Sequence, residues 1–339
     1  MSDILNRLLR IDWSVWAATA LLFVVSAIFV PQSLSGHSLS GLLSFAAVLM
    51  VVAAGQTLVV QQRGLDLSMP GVITLCSMVL PITITRADVP YPLAVVITLA
   101  VGLGIGLLNG LLVTRVGITP LIVTLAMGSI LTGLVFFYTG GLPSTEAPAP
   151  LVEFIAWRPL GIPIAFIIAT VIVIAVAVLM ARSSAGRRFV AAGSNAQAAR
   201  AASISVDSYV VSAYVLSGLS SAIAAMLLTG YVRSASISIG DEYLFTSIAA
   251  VVIGGTSFLG GKGSAIASAL GAIFLTQLVQ VLLASGASAS VQLLAQAVAI
   301  ALAVALRTVV PRLLARRPSL APAAAPATAT ASADVERRG

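Results

Sequence analysis

The sequence predicts an all-α polytopic membrane protein of about ten transmembrane helices, with both termini cytoplasmic. Three observations predict it. Of 339 residues, 59% are hydrophobic and only 9% are charged, against roughly 25% charged in an ordinary soluble domain. The apolar residues fall into blocks close to the roughly 20 residues that one spanning helix requires. The cations sit in alternate breaks between those blocks. With the N-terminus inside and ten crossings, Arg86, Arg158 and Arg233 are the only outer ones among 18 Lys and Arg, a strong positive-inside bias. Nine or eleven crossings would put the Arg-rich C-terminal segment outside.

The blocks follow in order. The first, 13–30, comes after Arg7 and Arg10 and is succeeded by Pro31-Gln32-Ser33-Leu34. No small-x-small cleavage site adjoins it, so it reads as an uncleaved first span and not as a signal peptide. The next five lie at 41–60, 68–85, 92–113, 118–138 and 162–181, and three more at 209–230, 264–284 and 291–306. Block 243–259 is short and Gly-interrupted, which suits a broken helix. The domains are then a cytoplasmic N-terminus (1–12), a transmembrane domain (13–306) and a cytoplasmic tail (307–339). The Ala/Pro/Thr-rich stretch 318–333 of that tail cannot bury a core and is expected to be disordered.

Composition also excludes function classes. Cys76 is the sole cysteine and His37 the sole histidine, so neither an intrachain disulfide nor a thiolate metal cluster is available. The net charge of +7 lies between apolar blocks, so it speaks for membrane orientation and not for nucleic acid. Residues 255–263 look like a phosphate loop, but Lys262 comes one place late and no Ser or Thr follows it directly. Lys262 reads as a charge closing a Gly-rich turn. Asp241-Glu242 reads as a helix start, with capping and dipole complementarity.

Inside the blocks, Gly102, Gly106 and Gly110 recur every fourth residue, a face for close helix packing. Gln56, Thr57, Asn109, Thr124, Tyr214, Ser217 and Gln277 are neutral polar residues in apolar surroundings. Each reads first as a helix-to-helix hydrogen bond and second as lining of a solute pathway. No Asp, Glu or Lys falls at the middle of a block. Ion-coupled carriers need ionisable groups there, so the lining suits an uncharged polar solute moved by energy from elsewhere. Asp66 reads as a cap for the helix that follows it.

The longest inner loop, 182–207, contains Gly186-Arg187-Arg188 and then Gly193-Ser194-Asn195. Asn195 is a good N-cap, and residues 196–202 are nearly all strong helix formers. The expectation is a short helix after a flexible glycine hinge.

This loop, with Gly193, Asn195, Ala198 and Ala199, resembles the coupling loop of the permease subunits of ribose/galactose/xylose-type ATP-binding-cassette (ABC) importers. Further stretches agree in order: Gly55-Gln56-Thr57-Leu58-Val59, Gly64-Leu65-Asp66-Leu67-Ser68, Asn109-Gly110, Ile122-Val123-Thr124-Leu125, and residues 248–256 followed by Gly260-Gly261 and Gly263. The chain departs from the pattern at Arg63, where a glycine is usual, at Met69-Pro70 in place of Val-Gly, and at Ser203 in place of Gly. The resemblance implies two permease copies in a bacterial inner membrane, an ABC ATPase below and an extracytoplasmic substrate-binding protein outside. ATP and Mg would then be held by the ATPase, with no cofactor on this chain. Gly186, Arg187, Gly193, Asn195, Ala198, Ala199 and Arg200 would couple the two subunits. The solute implied is a monosaccharide or similar small molecule. The alternatives are a branched-chain amino acid or nucleoside permease of the same mechanism, or a stand-alone channel or facilitator.

Overall fold

The computed structural model describes residues 13–141 and 144–315. The expectations for 1–12 and for the Ala/Pro-rich tail lie outside the described residues. Thirteen α-helices form among the described residues: α1 (Trp13–Phe29), α2 (Gly36–Gln61), α3 (Met69–Ala87), α4 (Tyr91–Leu111), α5 (Pro120–Thr139), α6 (Ala149–Ala156), α7 (Ile164–Arg182), α8 (Ser184–Ser194), α9 (Ala196–Ala201), α10 (Val206–Val232), α11 (Tyr243–Ile253), α12 (Ala265–Ala284) and α13 (Ala289–Ala315). Seven of them, α2, α3, α4, α5, α7, α10 and α12, are long and apolar enough to cross a membrane. Residues 14–29 of α1, all of α11 and residues 289–302 of α13 are shorter apolar helices.

Local chemistry sets the boundaries. Proline stands in the first turn of α3, α4, α5 and α6, where its missing N–H costs nothing. Ser35, Ser183 and Ser264 cap α2, α8 and α12 through their side chains. Gly140 ends α5 in the left-handed conformation, as a C-terminal glycine commonly does.

The core is built around α2 and α3, which are buried on nearly all sides, with α10 packed along α2, α3 and α4. The helices α5 and α7 turn most of their apolar surface outward, including Ile122, Ile130, Phe137, Val171 and Ile174. A helix apolar all round needs either a protein core or lipid around it; α2 has the first, and α5 and α7 are placed for the second.

Some expectations change. At 1.5 Å per residue, the 11 residues of α11 reach about 17 Å, short of a hydrocarbon core of about 30 Å. The helix stops at Ile253, before Gly254 and a left-handed Gly255. The last helix runs on to Ala315, past the end of the apolar block at 306. Glu242 occupies the N-cap position of α11 without any side-chain capping bond. One small antiparallel pair, β1 (Ser144–Glu146) with β2 (Ser234–Ser236), joins the end following α5 to the end of α10. At three residues each, these strands are shorter than the runs of roughly four to eight that give a strand signal in sequence.

Candidate functional site

Two polar regions stand out against this apolar frame. The first lies inside the bundle. After α2 the chain turns at Gln62–Gly64, with the Gly64 N–H donating to Val59 O at 3.0 Å. It then runs extended back among the helices, so Asp66 is buried. The Asp66 carboxylate accepts three hydrogen bonds. Oδ1 takes the Ser68 N–H at 3.0 Å and the Ser68 hydroxyl at 2.6 Å; Oδ2 takes the Ser217 hydroxyl from α10 at 2.7 Å. Asn109 of α4 donates its Nδ2 to Ser68 Oγ at 2.8 Å, and Thr124 of α5 lies 3.2 Å from Leu65 O. Tyr214 is fully buried beside this junction, and a Cβ on Gly64 would lie 2.4 Å from its hydroxyl.

Asp66 bonds the backbone and hydroxyl of Ser68, the N-cap residue of α3, and no N–H within the helix itself. It also reaches Ser217, 151 residues away, which the sequence could have signalled only through a serine set in an apolar helix. Asn109, Thr124, Tyr214 and Ser217 are therefore brought together around one carboxylate. Thr57 and Gln277 are elsewhere. Thr57 shares a 2.7 Å hydroxyl bond with Ser268 of α12, and Gln277 donates to Ser26 of α1 at 3.0 Å. Gln56 is fully buried, and neither polar atom of its amide meets a described partner.

A cavity of about 840 Å³ opens at the end of the bundle rich in basic residues, between α2, α7, α8 and the start of α12. Thr57, Gln61, Met180, Val190, Lys262 and Ile266 are among its lining residues. Of the seven candidate pathway residues, only Thr57 borders it. Among the described residues there is no group of His, Cys, Asp and Glu that could hold a metal ion.

The glycine stripe of α4 faces α10. A Cβ on Gly102 would lie 2.5 Å from Gly218 O, one on Gly106 2.2 Å from Tyr214 O, and one on Gly110 2.8 Å from Val211 Cα. Those contacts are to backbone, so the two helices touch main chain to main chain. This close approach holds Tyr214 and Ser217 at the depth of Asp66.

The second region is the elbow formed by α8 and α9 at the basic end. Ser183 caps α8, and Phe189 is buried edge-on against Tyr209 of α10, with ring centroids 6.1 Å apart. Gly186 and Gly193 are not a hinge. Both lie within α8, where a Cβ would come 2.5 Å from Leu179 O and 2.0 Å from Gln61 O respectively. They are glycine because backbone passes against them. Asn195 ends α8 and caps α9, its Oδ1 accepting from the Gln197 and Ala198 N–H groups at 3.1 Å each. Ala199 is buried against Ala192 and Val206, whereas Gln197, Ala198 and Arg200 are exposed. Arg187 is exposed and reaches Arg182 O at 3.3 Å. Arg200 pairs with Asp207 at 2.9 Å in the open, an arrangement worth at most about 1 kcal/mol. Arg63 and Ser203, which stand where the importer pattern has glycine, both keep a left-handed backbone, with φ of 63° and 59°.

Comparison with known proteins gives consistent relatives. Residues 38–310 match the family described as branched-chain amino acid transport system, permease component. The autoinducer 2 import system permease protein LsrC of Escherichia coli (strain K12 / DH10B) is 33% identical over 265 residues, 78% of this chain and 77% of that protein. A probable ABC transporter permease protein, y4mJ of Sinorhizobium fredii, is 34% identical over 270 residues, covering 79% and 80%. The autoinducer 2 import system permease protein LsrD of Salmonella paratyphi A is 32% identical over 290 residues, covering 83% and 87%. No solved structure matches.

Proposed function

We propose that this chain, which belongs to the branched-chain amino acid transport system permease family and is a multi-pass inner-membrane subunit of a bacterial ABC importer, moves a monosaccharide or similar small neutral polar solute. The observation that supports the solute class is the polar interior: amides and hydroxyls tie the helices, and Asp66, the one buried carboxylate among the described residues, is already satisfied by three donors. The matched family's description names branched-chain amino acids, and the relatives' names give autoinducer 2. The ligand of the cognate binding protein separates these readings.

As a permease of an ABC importer, the chain works with an ATPase and a substrate-binding protein. Our reading adds the arrangement. Two copies form a homodimer with two-fold symmetry. Ten helices cross, α11 serving as half of a broken crossing, and both termini are cytoplasmic, so the basic end faces the ATPase. Residues 1–12 and the tail from 307 flank the transmembrane domain on that side. ATP and Mg are held on the ATPase. The elbow 182–207 is the coupling segment, with Gly186, Arg187, Gly193, Asn195, Ala198, Ala199 and Arg200 shaping or presenting it. Alternating access follows from movement of that segment. Thr57 lines the pathway where it borders the cavity; Gln56, Asn109, Thr124, Tyr214, Ser217 and Gln277 line it in other states of the cycle.

The test is affinity purification of the tagged chain from native membranes, with partners identified by mass spectrometry. The expected result is an ATPase in near-equal amount, lost on Ala198→Arg while the chain stays inserted. Ala198 is exposed, so the added side chain leaves the fold alone and blocks only docking. Normal uptake and ATPase retention in Ala198→Arg sinks the coupling assignment.

A further inference from the structure

Three segments distant in sequence meet at the base of the coupling elbow. They are the turn after α2 (Gln61–Gly64), the last turn of α8, and the glycine loop before α12. Backbone holds backbone there: the Gly261 N–H donates to Gln61 O at 2.9 Å. A Cβ on Gly193 would lie 2.0 Å from Gln61 O, and one on Gly260 would lie 2.5 Å from both Gly193 O and Arg63 Cγ. Gln62 donates its Nε2 to Phe189 O at 2.8 Å, and Gln61 donates its own to Gly263 O at 2.8 Å.

Arg63 is the cation at this meeting point. Its Nε donates to Gly193 O at 2.9 Å, and a terminal nitrogen donates to Ser194 O. Those are two of the last carbonyls of α8, where unsatisfied acceptors and the negative end of the helix dipole collect. The rigid guanidinium fork fits two neighbouring acceptors at once, which the point charge of a lysine does not. The backbone of Arg63 is left-handed, with φ 63°, a conformation that glycine adopts freely and arginine does not. A strained residue held in place by two charge-assisted bonds is consistent with a role its side chain performs.

We infer that Arg63 is a positioning residue of the transport cycle: it couples α8, and the α9 segment that follows at Asn195, to the end of the central helix α2. The inference rests on the coupling reading of the elbow given above. A shift of α9 driven by the ATPase carries the α8 terminus with it. Through the fork of Arg63 the shift reaches α2, which is buried along nearly its whole length and runs to the opposite end of the bundle. Substitution by glycine relaxes the backbone and removes the fork together.

The experiment uses the full chain with its co-purified ATPase in lipid nanodiscs, and Mg-ATP with orthovanadate as the probe. Spin labels are placed at His37→Cys, at the far end of α2, and Glu153→Cys, on α6. The buried native Cys76 stays unlabelled. In the parent complex, trapping with vanadate changes the label separation. In Arg63→Gly, ATP turnover stays within about twofold of the parent, while the trapped population at the shifted distance falls by about tenfold, a coupling loss of ordinary size. Arg63→Lys, which keeps the charge without the fork, falls between. Arg63→Asn, which tolerates the left-handed backbone but is too short to reach α8, behaves as Arg63→Gly and replaces it if that variant folds poorly. A full shift in Arg63→Gly or Arg63→Asn overturns the inference and leaves the permease reading intact. An absent shift in an active parent complex overturns it too, because α2 then transmits nothing. Failure of the parent chain to retain any ATPase overturns both.

Discussion

Replacing Gly106 with alanine adds one methyl group where α4 and α10 touch backbone to backbone. The new Cβ would lie 2.2 Å from Tyr214 O and 2.9 Å from Tyr214 C and Val215 Cα. Ordinary contact begins near 3.4 Å, so the helices must part by about 1 Å. A gap of that size forfeits roughly a quarter to a half of each dispersion contact it opens, and overpacking of this kind costs about 3 kcal/mol at the upper end of its usual range. Alanine returns about 1 kcal/mol as the better helix former, which leaves a net loss of about 2 kcal/mol. Gly104 is the control. It lies on the same helix two residues earlier, and a Cβ there meets nothing within 4 Å. Gly104→Ala therefore gains the propensity term alone, up to about 1 kcal/mol. The assay is thermal unfolding in detergent, read by a fluorogenic maleimide on Cys76. That thiol is the sole cysteine and is buried, 3.6 Å from Thr98 O of α4, so it reacts only when this part of the bundle opens. Gly106→Ala should melt about 4–8 °C below the parent chain, at about 2–4 °C per kcal/mol, and Gly104→Ala at or above it. Equal melting of Gly106→Ala and the parent, or an equal drop in both variants, would refute the backbone-to-backbone account of the stripe.

Two further outcomes follow from the same geometry. Ser217→Ala leaves Asp66 Oδ2 without its donor and should cost about 2 kcal/mol in the Cys76 assay. Ser221→Ala, whose hydroxyl bonds only to Ser217 O in its own helix, should change little; equal effects would deny the carboxylate its special partner. Asn195→Ala removes both capping bonds from α9, a loss of about 1 kcal/mol. Hydrogen exchange of the α9 amides should quicken about fivefold while α10 stays protected, and Asn195→Asp should restore the slower rate. Unchanged exchange in Asn195→Ala would mean that packing of Ala199 alone holds the helix.

The sequence by itself determined the class and the run of elements, because lipid leaves few solutions. Every backbone polar group must be satisfied within its own segment, so block length and charge placement suffice to place the apolar helices in order, although the sequence reads ten spans where seven helices among the described residues are long and apolar enough to cross. It also determined the Asn195 cap, a residue-type signal beside a run of helix formers, and the stripe of Gly102, Gly106 and Gly110, a periodic one. Tertiary structure alone decided what the stripe faces, that Gly186 and Gly193 pack where a hinge was expected, and that Asp66 reaches Ser217. It also decided that Arg63 grips the end of α8. In all of these but Gly186, which packs on the end of the preceding helix, the deciding atom belongs to a segment more than a hundred residues away. Glycine carries no label for why it is glycine: a hinge, a left-handed turn and a backbone passing at contact distance all demand the same residue, and only the neighbour in space distinguishes them.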